Sequence, residues 1–149
     1  GTMQYRAPES VLQAQWSYPV DLWGVGCIFV EMLLGRQMFP LAHDGPHLQM
    51  IQRCFGPIPP NILLRGWTSA AWRGLLAFGP GGMALVAPWP EWVAAAESVR
   101  PLHEWVPHPQ AFNFACGFFQ YDPARRVTAA AALCHEFLHM PLPVEEPPR

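Results

Sequence analysis

From Leu22 to Leu34 the chain reads LWGVGCIFVEMLL, and only Gly24, Gly26 and Glu31 interrupt its apolar residues. Wound as a helix, this stretch is hydrophobic on every face, which places it in the middle of a domain with other elements packed around it. Ser17 offers an N-cap oxygen, and Pro19 falls in the first turn, where its missing N–H does no harm. Asp21 lies near the positive helix end, and Gly35 stops the helix as its C′ residue. The internal glycines cost roughly 1 kcal/mol each relative to alanine, so they imply close approach of another backbone. A membrane span needs about 20 apolar residues; this run is flanked by Asp21 and broken by Glu31. The pattern predicts a core helix.

Other elements follow from shorter patterns. Gly1 to Arg6 reads as an extended loop, and Pro8 to Leu12 as a short helix. His47 to Phe55 is amphipathic and ends at Gly56-Pro57. His43 and His47 share i, i+4 spacing, but the Gly45-Pro46 pair between them predicts a loop there. Ala111 to Phe119 reads as a helix, and Ala129 to Leu138 as a last helix with Thr128 as its N-cap. Between Gly66 and Pro107 the pattern is least legible. Trp67, Trp72, Trp89, Trp92 and Trp105 crowd it, and the apolar Leu75 to Val86 is either core cover or an exposed patch. We expect a hairpin there with short helical pieces. Met140 to Arg149, with four prolines, predicts a disordered tail, leaving residues 1–139 as the folded unit.

Composition sharpens this only in part. Hydrophobic residues make up 51% of the chain and charged residues 13%, about half the usual charged share. A net charge of −2 gives no basic footprint for direct nucleic-acid binding. All nine basic residues are arginine. The four cysteines (Cys27, Cys54, Cys116 and Cys134) form no C-x-x-C pair, which predicts free thiols in a reducing compartment. The chain starts at Gly1 with no signal peptide, and neither a membrane nor a secreted setting is expected.

The ordered motifs carry more. YRAPE (Tyr5 to Glu9) is followed by W-S-x-P-x-D-x-W-G-x-G-C, which holds Asp21, Trp23 and Gly26, and then by G-x-x-x-F-P. This order resembles the lower lobe of a eukaryotic protein kinase, and the arginine in YRAPE points to the CMGC group. The segment HLQMIQRCFGPIP is similar to the signature of LAMMER-type (Cdc-like) dual-specificity kinases, with Gln52 standing where those kinases have glutamate. Trp89-Pro90-Glu91 and Val99-Arg100-Pro101-Leu102 echo the insertion of that group. Tyr121-Asp122-Pro123-Ala124-Arg125-Arg126-Val127-Thr128 resembles the D-P-x-x-R-x-T turn of protein kinases.

The resemblance implies an all-α fold, the later part of a kinase C-terminal lobe. It implies that Thr2, Tyr5 and Arg6 belong to the loop that receives the substrate residue after the phosphorylated one. It gives Glu9, Asp21, Trp23, Gly26 and Arg126 structural roles, with Glu9 paired to Arg126 rather than Arg125, and with Asp21 directed at a catalytic loop.

Kinase chemistry needs a lysine on the phosphates, a catalytic aspartate and an Asp–Asn set for magnesium. The chain has no lysine, no H-R-D and no D-F-G, and its three aspartates (Asp21, Asp44 and Asp122) are scattered. Whether the chain is an enzyme is therefore not given by its residues. We expect a piece inactive by itself and without cofactor, needing its N-terminal half or a chaperone, whose intact parent uses ATP and magnesium. By resemblance the parent phosphorylates proteins in the nucleus, among them Ser/Arg-rich splicing proteins. The alternative is a non-catalytic, pseudokinase-like interaction module. His135-Glu136-Phe137-Leu138-His139 matches the H-E-x-x-H zinc pattern. It lacks a helix-borne third ligand, and His135 falls where kinases carry a structural histidine, so no metal site is expected.

Overall fold

The computed structural model describes residues 2–15, 17–40, 42–86 and 89–141. Among these, α1 (Pro8–Val11), α2 (Pro19–Leu34), α3 (Asp44–Phe55) and α4 (Pro60–Leu64) precede a hairpin of β1 (Leu76–Gly79) and β2 (Gly82–Leu85). Then come α5 (Pro90–Glu97), α6 (Leu102–Trp105), α7 (Pro109–Phe118) and α8 (Ala129–Leu133). Short 3-10 turns cover Met3–Tyr5, Ala70–Trp72, Pro123–Arg125 and Glu136–His139. The fold is helical, with one small antiparallel sheet. Apart from Met140 and Pro141, the tail lies outside the described residues.

Helix α2 organises the rest, though not as a rod covered on all sides. Trp23, Gly26, Cys27 and Val30 face the core. Gly26 meets α7 so closely that a Cβ there would fall 2.5 Å from the Cβ of Phe118. The opposite face is bare: Val25 and Ile28 are each 48% exposed, and Met32 is 77% exposed. Gly35 ends the helix in the left-handed region (φ +67°) and donates its N–H to the Glu31 carbonyl at 2.8 Å. At the other end no side chain caps the helix. Ser17 contributes its main-chain carbonyl, which accepts from the Val20 N–H at 3.1 Å, instead of the side-chain oxygen expected.

Several boundaries differ from the pattern: within the loop expected to be extended, Met3–Tyr5 forms a 3-10 turn, and α7 starts at Pro109 rather than Ala111. Helix α3 begins at Asp44, so Gly45 and Pro46 are helical and His43 is its N-cap. Proline is tolerated there because the first-turn N–H groups have no intrahelical acceptor. Gly45 is needed because Trp92 of α5 lies directly against it. The last helix is shorter than expected. Thr128 caps it, accepting from the Ala131 N–H at 3.2 Å, but it ends at Leu133. His135 is extended, and its Nδ1 accepts from the Phe137 N–H at 3.1 Å, starting a separate 3-10 turn.

The least legible stretch is part core cover and part exposed surface. Trp72, Leu76, Met83, Trp92, Val99, Leu102 and Trp105 are buried. Trp72 Nε1 donates to the Val11 carbonyl at 3.0 Å, tying this stretch to α1. In the hairpin Leu76 faces Leu85 and Phe78 faces Met83, and Gly82 (φ +100°) packs on Pro60 of α4. Phe78 and Trp67 remain exposed, in edge-to-face contact. The four cysteines are free thiols.

One ion pair joins the two ends of the chain. Arg126 Nη1 and Nη2 donate to Glu9 Oε1 and Oε2 at 2.7 and 3.1 Å, and both side chains are completely buried. The guanidinium also donates to the carbonyls of Pro19 (2.8 Å) and Gln120 (Nε 3.1 Å, Nη2 2.9 Å). It lies over the Trp23 ring, 5.3 Å from the centroid. Removing one partner of such a pair strands a buried charge, at a cost of about 3–5 kcal/mol. Arg126→Ala should therefore destabilise the chain by that order in urea unfolding, whereas the exposed Arg125→Ala should barely move the midpoint. Equal effects of the two substitutions would overturn this.

The two histidines of the H-E-x-x-H match are held apart in purpose. His135 Nε2 lies 3.1 Å from Asn113 Oδ1, and His139 Nε2 lies 3.0 Å from the Leu133 carbonyl. Since His135 precedes the turn rather than belonging to a helix, the i, i+4 geometry of a zinc helix is not formed. Purified protein should bind no stoichiometric zinc there. One zinc per chain in metal analysis, lost on His139→Ala, would contradict the assignment.

Candidate substrate-docking site

The loop before α1 is held by three polar residues. The Tyr5 hydroxyl donates to Glu31 Oε2 at 2.8 Å, and the other Glu31 oxygen accepts from the Met38 N–H at 2.9 Å. Glu31 thus fastens two loops onto α2. Its carboxylate holds the Tyr5 phenol above its ordinary pKa, because the donated proton stabilises the neutral form. Arg6 Nη1 pairs with Asp44 Oδ1 at 3.0 Å, and Nη2 donates to the Ser10 carbonyl at 2.8 Å. Arg6 therefore bridges α1 and the first turn of α3.

His47 completes the support from below. It is buried against Phe39, and its Nε2 lies 3.3 Å from the Arg6 carbonyl. A carbonyl only accepts, so the proton belongs on Nε2, leaving Nδ1 as an acceptor with no partner among the described residues.

Of these residues, Tyr5 and Arg6 border a groove of about 370 Å³ between the loop and α2. Thr2 and Tyr5 line one side, Asp21 and Ile28 the other, and Arg6 and Ser10 close the end. Gly24 forms part of the floor, and a Cβ there would lie 3.8 Å from the Tyr5 carbonyl. The residues singled out in the sequence divide into two sets. Thr2, Tyr5, Arg6 and Asp21 meet at this groove, whereas Glu9, Trp23 and Arg126 are buried behind it. Asp21 is exposed, and its carboxylate has no hydrogen-bond or ion-pair partner among the described residues.

Sequence patterning missed Glu31, Asp44 and His47. Glu31 interrupts the apolar run, and an inward-facing acid in such a run is the signal that could have marked it. Gln52, standing where LAMMER-type kinases carry glutamate, keeps an acceptor role: its Oε1 takes the Ile58 N–H at 3.2 Å across the Gly56-Pro57 turn. The described residues contain no cluster suited to hold a metal ion.

Burial lowers the His47 pKa below the ordinary 6.5. The unfolded chain then binds the proton more readily than the folded one, so the site is at full stability above 6.5 and loses stability as the pH falls below it. Thermal unfolding should show a lower midpoint at about pH 5 than at about pH 7.5. His47→Gln, which retains an N–H for the Arg6 carbonyl, should narrow that difference. An unchanged difference would exclude His47 as its source.

Comparison with known proteins places this arrangement. The protein kinase domain family model matches residues 1–138. The chain is 34% identical to the serine/threonine-protein kinase AFC1 of Arabidopsis thaliana over 91% of its own length, and covers 30% of that protein. It is 33% identical to the dual specificity protein kinase CLK1 of Homo sapiens over 93% of its length, and covers 28% of that protein. A solved kinase domain superposes with a TM-score of 0.80 at 29% identity, over 92% of this chain and 40% of the other. The chain thus spans about a third of the curated relatives it matches. It belongs to the protein kinase family, with the fold of part of the C-terminal lobe.

Proposed function

We propose that this chain is the substrate-docking and scaffolding part of an ATP-dependent Ser/Thr or dual-specificity protein kinase, and that it transfers no phosphate by itself. The observation that carries the reading is the groove of Thr2, Tyr5, Arg6 and Asp21, which adjoins the bare apolar stripe of α2. The groove takes the polypeptide substrate, with the Tyr5–Arg6 loop meeting the residue after the acceptor hydroxyl. Asp21 offers a carboxylate to catalytic-loop amides of the intact kinase. The stripe of Val25, Ile28 and Met32 is the surface on which the catalytic segments of that kinase seat.

ATP and magnesium do not fit the residues present. There is no lysine to clamp the phosphates. Asp44 is committed to Arg6, and Asp122 lies near Arg65 (3.6 Å) while accepting from the Ala124 N–H at 3.2 Å. Asp21 stands alone. Both ligands belong to the intact kinase. Ser/Arg-rich proteins as substrates, and a nuclear setting, follow from the LAMMER kinship alone. No helix among the described residues is long and apolar enough to cross a membrane. The second reading, a non-catalytic interaction module, is favoured by the exposed Trp67–Phe78 pair on the hairpin, which serves no part of the docking groove.

Calorimetric titration of the chain with ATP–magnesium should show no saturable binding, and no phosphate should reach a Ser/Arg peptide. Saturable binding in the micromolar range would refute the reading.

A further inference from the structure

A second cavity, remote in sequence from the docking loop, has the make-up of a small-molecule site. It lies between the C-terminal end of α3, the start of α6 and one face of α7, and measures about 480 Å³. That is within the range of about 300–1,000 Å³ usual for ligand pockets. Its walls include the rings of Phe55, Phe112 and Phe119 together with Leu102. Phe55 and Phe119 are already stacked on each other, with centroids 4.3 Å apart, so the wall is a fixed aromatic surface.

The charged side chain of this cavity is a cation. Arg53 and His103 line it, and no acidic residue does. Among the described residues no carboxylate lies within ion-pair distance of Arg53. Gln120 is already engaged, donating to the Cys116 carbonyl at 2.9 Å. An aromatic wall with an unpaired guanidinium beside it selects a planar apolar body carrying an anion. A guanidinium meets a carboxylate through two parallel hydrogen bonds.

We propose that this cavity binds small aryl carboxylates, with the aryl ring against the wall that Phe55, Phe112 and Phe119 form and the carboxylate on Arg53. Arg53 lies within the LAMMER-like segment and does not line the docking groove.

The cysteines provide the test. Cys116 lines the cavity and is partly buried, whereas Cys134 is exposed and lies outside it. Alkylation of the full chain by a maleimide, followed by peptide mass mapping, reads both sites in one sample. Burial raises the Cys116 pKa, so mildly alkaline buffer is needed for it to react. Saturating 2-naphthylacetate should slow labelling of Cys116 and leave Cys134 unchanged. The neutral isostere 2-naphthylacetamide should bind about tenfold more weakly or worse, because the charge-assisted contact is lost. Arg53→Gln, a substitution of an exposed residue that should fold normally, should remove the preference for acid over amide. Equal affinity for acid and amide in the wild-type chain, or unslowed labelling of Cys116 at saturation, would overturn the proposal.

Discussion

The contact between Glu9 and Arg126 is the constraint on which the rest of the structure depends. Neither neighbourhood holds itself in place: α1 is four residues long, and the Pro123–Arg125 turn is shorter still. Isolated turns of this size are not stable in water, because helix nucleation costs more than one or two hydrogen bonds return. The guanidinium supplies what they lack. It spends its donors on Glu9, on the Pro19 carbonyl at the start of α2 and on the Gln120 carbonyl after α7. A single buried cation therefore fixes the angle at which α1 meets the core helix. The docking loop follows, since Arg6 immediately precedes Ala7-Pro8 and bridges to Asp44 of α3.

Burial makes this arrangement specific rather than merely stable. A paired charge in the interior recovers its desolvation cost only when geometry is good and the remaining donors are satisfied. Arg126 meets both conditions, and Trp23 closes its remaining face. The Trp23 indole N–H, by contrast, has no partner among the described residues. The ring is placed by its packing with Phe55 and Phe119 and by the cation above it, not by its polar atom.

What the sequence disclosed follows from which signals are local. Gly35 as a helix stop, Thr128 as a cap and Pro8 at a helix start are each decided within a few residues, and each appears where the pattern puts it. The Gly45-Pro46 pair was misleading for a tertiary reason. Proline costs nothing in a first turn, and glycine there makes room for Trp92, a neighbour 47 residues away. Breakage of the last helix at His135 has a similar origin, since the ring is drawn to Asn113 and to the Phe137 N–H. At the docking groove, Thr2, Tyr5, Arg6 and Asp21 were legible through ordered motifs. Glu31 and His47 were not, because an acid in an apolar run or a histidine in an amphipathic helix acquires meaning only from the loop laid across it.

Helix α2 shows how these levels meet. Its sequence is apolar on all faces, yet the described elements cover only the face bearing Trp23, Cys27 and Val30. A pattern of this kind is costly to leave in water: each large aliphatic side chain forgoes about 1.5–3 kcal/mol that full burial would supply. Val25, Ile28 and Met32 recur at helical spacing on one side, so the deficit is a continuous stripe rather than scattered residues. Asp21 stands at the N-terminal end of that same stripe. A surface that is apolar along its length and acidic at the end where the helix dipole is positive is matched by a partner with the opposite order. That partner would be an apolar segment ending in amide donors. The docking groove opens beside this stripe, so whatever covers it also forms the missing wall of the groove. Under the proposed function, scaffolding and substrate recognition are for this reason one property of α2 and not two.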